Sequence, residues 1–228
     1  MPRTSPSRVR LPADTDRPAV LSRPGAISRY AFVDHPTTVR ARPDPRSRAL
    51  GRLSTRTPDH TSELVLLLRR AHGADGQSWL RVRTPLLPAG TTGWVPGAAL
   101  GAPHRVGTWL LVDRRALRLT LVRAGRVVVR APIGIGTAGT PTPAGRFYIR
   151  DRLTGLDPRG LYGPEAFGTS ARSTRVTDWP GGSVVGIHGT NQPELLPGRV
   201  SHGCIRLHNR DIRRLARLMP VGTPLTIR

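Results

Sequence analysis

The 228-residue chain contains no lysine; every one of its 36 basic side chains is arginine, against 14 acidic residues, for a formal charge of +22. Such an excess ordinarily points to nucleic acid. Here the arginines are spread along the whole chain, with no basic helix and no aromatic-interleaved stripe, so sequence-specific nucleic-acid binding is set aside and adhesion to a polyanionic surface such as cell wall is kept beside a merely solvated surface. Aromatics are scarce at 4%, while 25 glycines and 23 prolines favour short strands and turns over a helical bundle. The longest compact apolar run, Leu64 to Leu68, falls well short of the ~20 residues of a spanning helix, so no transmembrane segment is read. Residues 1–27 carry arginines without the apolar core of about 7–15 residues that marks a secretory leader, so no signal peptide is read in them. A single cysteine excludes an internal disulfide and leaves the redox compartment unencoded.

That cysteine organises the rest. Cys204 lies in Ser201-His202-Gly203-Cys204, and His188 precedes it by sixteen positions in Ile187-His188-Gly189-Thr190. A thiol near pKa ~8.5 attacks carbonyls only as thiolate, so a nucleophilic cysteine needs an imidazole or another cation beside it. Val184 to Ile187 reads as a buried strand delivering His188, and Ile205-Arg206-Leu207 as a second strand leaving Cys204. A loop with Asn191, Pro193, Pro197 and Gly198 joins them. Gly203 permits a tight turn and close approach to main-chain N–H groups, the natural oxyanion donors. A metal site from His202, Cys204 and His208 is the competing reading. One cysteine does not supply the paired ligands of a structural zinc site, so no metal is assigned and His208 is taken as structural.

The sequence HGTN followed by SHGCIRLHNRD resembles the signature of the L,D-transpeptidases, the YkuD family, and Thr140-Pro141-Thr142-Pro143-Ala144-Gly145-Arg146-Phe147 resembles that family's TPTPxGxF segment. The resemblance implies Cys204 as acyl-accepting nucleophile, His188 as its base, and the Gly189 carbonyl as the group holding the other imidazole nitrogen. It also implies His202 and Arg206 at the oxyanion pocket and the substrate's carboxylates, with Ser201 in the substrate-binding motif. The implied activity is 3→3 cross-linking of peptidoglycan stem peptides through a Cys thioester, outside the cytoplasm at the cell envelope, without metal or organic cofactor. Water as acceptor would make the chain an L,D-carboxypeptidase, and loss of catalysis would leave a wall-binding protein.

Three regions are expected along the chain. Residues 1–27 are Arg/Pro-rich and read as a disordered or extended tail. Residues 28–102 hold short segments of β character at Arg29–Val33, Thr38–Ala41, Leu64–Leu68, Ser78–Arg83 and Thr92–Val95, a pattern of a small antiparallel barrel. Trp79-Leu80-Arg81-Val82 followed by Gly93-Trp94-Val95 resembles a bacterial SH3-like domain, although both tryptophans equally suit a core. Gly101 to Gly107 is the expected join.

Residues 107–228 are expected to form a mostly β sandwich or barrel with one or two short helices. Leu117, Leu119 and Leu121 alternate with Arg118 and Thr120, and Ala124-Gly125 turns the chain into Arg126–Arg130. Leu153 to Pro180 reads as a long polar loop, a lid or cleft wall that offers Tyr162 and Phe167 as substrate-binding candidates. Asn209 is expected to cap a helix running to about Met219, with Leu225–Ile227 as a closing edge strand.

Overall fold

A computed structural model describes residues 19–23, 25–73, 76–173, 175 and 183–228. Eight strands precede Gly107: Ala19–Val20 (β1), Ser28–Phe32 (β2), Thr37–Arg40 (β3), Ala49–Leu53 (β4), Leu64–His72 (β5), Ser78–Arg83 (β6), Thr92–Pro96 (β7) and His104–Val106 (β8). They form one antiparallel sheet in the order β4-β3-β7-β6-β5-β2-β8, with β1 also paired to β5. Ala31, Val39, Val65, Leu67, Val82 and Val95 fill its core, and Trp79 and Trp94 are both buried. Two elements lie where none was expected. β8 occupies the presumed join and pairs with β2, and β1 falls within the expected tail, whose residues 1–18 and 24 lie outside the described residues.

The remaining strands are Thr108–Asp113 (β9), Arg118–Arg123 (β10), Arg126–Pro132 (β11), Gly134–Gly136 (β12), Gly145–Tyr148 (β13), Ala166–Arg172 (β14), Val184–His188 (β15), Gly198–Ser201 (β16), Ile205–Arg206 (β17) and Pro224–Ile227 (β18). They make two sheets, β11-β10-β9-β18-β13 and β14-β15-β17-β12-β16. Leu110, Leu119, Phe147 and Leu225 of the first sheet meet Ile135, Ile187 and Ile205 of the second in one core, the arrangement of a sandwich. The helix Asn209–Leu218 (α1) adds Ile212, Leu215 and Ala216 to that core and turns its arginines outward.

Local sequence explains most of these elements. In β10 the alternation holds, with Leu119 and Leu121 fully buried between more exposed Arg118 and Thr120. Ala124 and Gly125 both adopt positive φ, the backbone that a two-residue hairpin turn demands. Three expectations are corrected. β18 is not an edge: it lies between β9 and β13, because it pairs parallel with one and antiparallel with the other. The expected loop from Leu153 contains β14, whose Ala166-Phe167-Gly168-Thr169-Ser170-Ala171 run is wholly buried and so shows no polar-apolar alternation; residues 174 and 176–180 of that stretch lie outside the described residues. His208, not Asn209, is the cap residue of α1, since Asn209 is already helical.

The N-terminal sheet is joined to the sandwich by a buried polar contact. Arg150 donates from Nε to Glu63 Oε1 at 2.8 Å and pairs through Nη2 with Oε2, both residues being buried. The Tyr148 hydroxyl donates to the Leu64 carbonyl at 3.0 Å, and Tyr148 packs with Leu64 and Leu66.

Candidate active site

β15 and β17 run parallel, with Ile187 opposite Ile205 and His188 opposite Arg206. Side chains alternate across a strand, so one face of this pair differs from the other. Ile187 and Ile205 enter the main core, whereas Cys204 belongs to a separate small cluster with Ala166, Val184, Leu153, Leu156 and Tyr162. The Tyr162 ring stands edge-on to the His188 imidazole at 4.9 Å between centroids, which ties the histidine to the same cluster. The Gly186 N–H, from the residue two before His188, donates to Cys204 Sγ at 3.3 Å. A backbone donor aimed at sulfur stabilises negative charge there.

His188 has one fixed tautomer when neutral. Its Nδ1 lies 2.6 Å from the Gly189 carbonyl oxygen, which can only accept, so Nδ1 carries the proton and Nε2 keeps its lone pair. Burial to 2% exposure lowers the imidazole pKa to about 4. The Gly189 hydrogen bond opposes that shift and the Arg206 charge reinforces it. At neutral pH the ring is therefore an uncharged base. Cys204 is a buried cysteine that keeps 7% of its surface exposed.

The turn carrying Cys204 is bonded internally. The Ser201 hydroxyl donates to the Cys204 carbonyl at 2.6 Å and accepts the Gly203 N–H at 3.1 Å. Ser201 is buried and its hydroxyl is occupied by the turn, so it shapes the loop and does not face a substrate. The same bond removes the Gly203 N–H as an oxyanion donor. Gly203 itself has φ near +124°, which only glycine adopts without strain. Thr142 clamps this turn from the stiff 140–147 segment: its hydroxyl donates to the Gly203 carbonyl at 2.8 Å and accepts the Gly136 N–H at 2.9 Å.

Asn209 bonds across the other side of the site. Its Oδ1 accepts the Thr190 N–H at 2.9 Å, and its Nδ2 donates to the Pro158 carbonyl at 3.0 Å. A Cβ at Gly189 or Gly163 would strike that same Oδ1, so both glycines serve close approach. Arg206 is half-buried, with Nη1 donating to Gln192 Oε1 at 3.3 Å. Its Nε is buried and makes no hydrogen bond among the described residues. His202 is exposed.

The structure thus brings together Cys204, His188, Gly189, Gly203, Arg206 and Tyr162. Phe167 is not brought to the site. It is fully buried opposite Ile187 and packs into the main core, because β14 turns that residue away from the cysteine. Thr142 and Asn209 were not singled out as site residues by the sequence. The signal for Thr142 lay in a hydroxyl fixed between two prolines, and that for Asn209 in a helix start that follows the cysteine motif by five residues. Among the described residues no group of three or more His, Cys, Asp or Glu side chains converges as a metal site would need.

Residues 107–227 match the family described as the YkuD L,D-transpeptidase catalytic domain. YkuD of Bacillus subtilis is 37% identical over 141 residues, covering 62% of this chain and 77% of that protein. YkuD of Bacillus licheniformis is 34% identical over 139 residues, covering 61% and 75%. The crystal structure of an Enterococcus faecium L,D-transpeptidase is 26% identical over 54% of this chain, with a TM-score of 0.42; the alignment spans 50% of that chain.

Proposed function

Since the chain belongs to the YkuD family of L,D-transpeptidases, we propose that it transfers acyl groups between peptidoglycan stem peptides, with Cys204 as nucleophile and His188 as base. The observation that carries the reading is the fixed imidazole: Nδ1–H is spent on the Gly189 carbonyl, which leaves Nε2 as the proton acceptor on the cysteine side of the sheet. Nε2 takes the Sγ proton as sulfur attacks the carbonyl between the third residue and the D-Ala at the fourth position of a stem tetrapeptide. The tetrahedral oxyanion collapses, the C–N bond breaks, and the imidazolium returns its proton to the departing D-Ala amine, leaving a thioester.

A side-chain amine from a second stem then attacks the thioester carbonyl. Its surplus proton passes to Nε2, and the thiolate departs and is reprotonated, yielding a 3→3 cross-link. Base assistance of this kind is worth about 10²–10⁴ in rate. Arg206 is the carboxylate clamp of the proposal: its guanidinium is half-buried, and its Nη groups are the donors that a carboxylate would accept. His202 is assigned to the oxyanion pocket through its place in the SHGC motif. Tyr162 forms the wall over the imidazole, and Gly189 orients the base.

The reading places the chain at the cell envelope, where its substrate is; no helix among the described residues is long and apolar enough to cross a membrane. Incubation with a disaccharide tetrapeptide followed by mass spectrometry tests the reaction. Cross-linked dimers lacking one D-Ala are expected; tripeptide alone would make water the acceptor, and unchanged tetrapeptide would contradict acyl transfer.

A further inference from the structure

Outside the cysteine site, a cavity of about 450 Å³ opens where the N-terminal sheet meets the sandwich. Four arginines line it, Arg69, Arg81 and Arg83 from β5 and β6 and Arg146 from β13, and no carboxylate does. Arg69 and Arg81 are direct cross-strand partners, so two like charges face each other on one sheet, and Arg83 follows two residues later on the same face. Arg146 arrives from the other sheet, opposite Thr226. Burial, and then the charges of Arg146 and Arg81, hold the Arg83 guanidinium below its ordinary value. Among the described residues none of the four makes an ion pair.

A chain that gathers four uncompensated guanidiniums from three strands into one cleft carries a standing repulsion that a bound anion removes. We propose that this cleft binds a phosphodiester polyanion, a wall polymer in which phosphates alternate with short polyol linkers. Guanidinium forks match the paired oxygens of a phosphodiester. Leu66, Leu68 and Leu225 also line the cleft, and so do Ser22, Thr92 and Thr226, whose hydroxyls match those of the polyol linkers. Four guanidiniums drawn from two sheets match a ligand that carries more than one phosphate better than a single anion. The site is separate from Cys204: the binding of a phosphodiester rests on the four arginines alone, while the choice of a wall polymer rests on the proposed function.

The test is binding of a fluorescent glycerol-phosphate hexamer to the full chain, followed by anisotropy at two salt concentrations. Wild type should bind it, and the triple variant R69Q/R81Q/R146Q should lose about tenfold or more in affinity with a weaker salt dependence. A control triple of equal charge change on exposed strands, R105Q/R123Q/R126Q, should keep affinity within about twofold. Acyl transfer should persist in both triples. Equal loss in the control would reduce the effect to net charge and overturn the proposal. So would tighter binding of a single-stranded oligonucleotide of the same charge, or saturation by inorganic phosphate without competition from the hexamer. If the site triple fails to fold, the single exposed change R146E carries the same expectation and the same refutation.

Discussion

Because burial holds the His188 pKa down at about 4, the base role proposed for it should persist far below the range of an ordinary imidazole. The base must be unprotonated, so kcat/KM should fall as pH drops through about 4 to 5, and an acid limb centred on 6.5 would contradict this environment. Replacing His188 with Ala should lower kcat by about 10²–10⁴ while stem-peptide binding changes little. Thr142 would act by positioning, since among the described residues its hydroxyl bonds the Gly136 N–H and the Gly203 carbonyl. Thr142→Val leaves both buried groups unpaired, for a stability loss of about 1–3 kcal/mol by urea unfolding. If the role is to hold the nucleophile's turn, kcat should fall with KM unchanged, whereas a purely structural role would leave kcat of the folded fraction intact.

At the scale of elements, the join between β15 and α1 depends on Asn209, which spans from the helix start to Thr190 and Pro158. Asn209→Ala should speed hydrogen exchange at the Thr190 amide and cost about 1–2 kcal/mol, without moving the pH profile. Sequence pattern reached the elements whose two faces differ. The β10–β11 hairpin was legible from the Leu119/Leu121 alternation and the Ala124-Gly125 turn, and β15 and β17 from short apolar runs beside the two motif residues. It failed at β14, because a strand buried on both sides and built from small and hydroxylated residues carries no period. Phe167 was misplaced for the same reason: which side of a strand faces the cleft depends on register, and here Phe167 pairs with core-facing Ile187. The cysteine and histidine were legible by motif, but the bond from Gly186 to Sγ requires two strands brought together from afar.

For the whole molecule, the Glu63–Arg150 pair is the charged contact that links the two β units through the buried interior. Removing one partner strands the other's charge, so Glu63→Gln or Arg150→Met should destabilise by about 3–5 kcal/mol, and the double E63L/R150M should cost less than either single change. Nearby Asp151 has its pKa raised to about 6, first by burial and then by the Asp59 charge. Its folded value exceeds its unfolded one, so its contribution is complete below pH ~3.8 and is lost as pH rises through about 6. His188 works in the opposite sense, with stability lost as pH falls from about 6.5 towards 4. The two slopes oppose each other between about pH 4 and 6, so Asp151→Asn, which removes the falling one, should make stability rise more steeply with pH over that window than in the wild type, as read by urea titrations.

In the proposed reaction every acyl group passes through one sulfur, that of Cys204. Intact-protein mass spectrometry, after acid quenching within the first turnover on a stem tetrapeptide, tests it most directly. The protein should gain the mass of the stem peptide less D-Ala, mapped to Cys204, with no such gain in Cys204→Ala and a slowed gain in His188→Ala. Turnover by Cys204→Ala, or an acyl group found on any other side chain, would contradict the account.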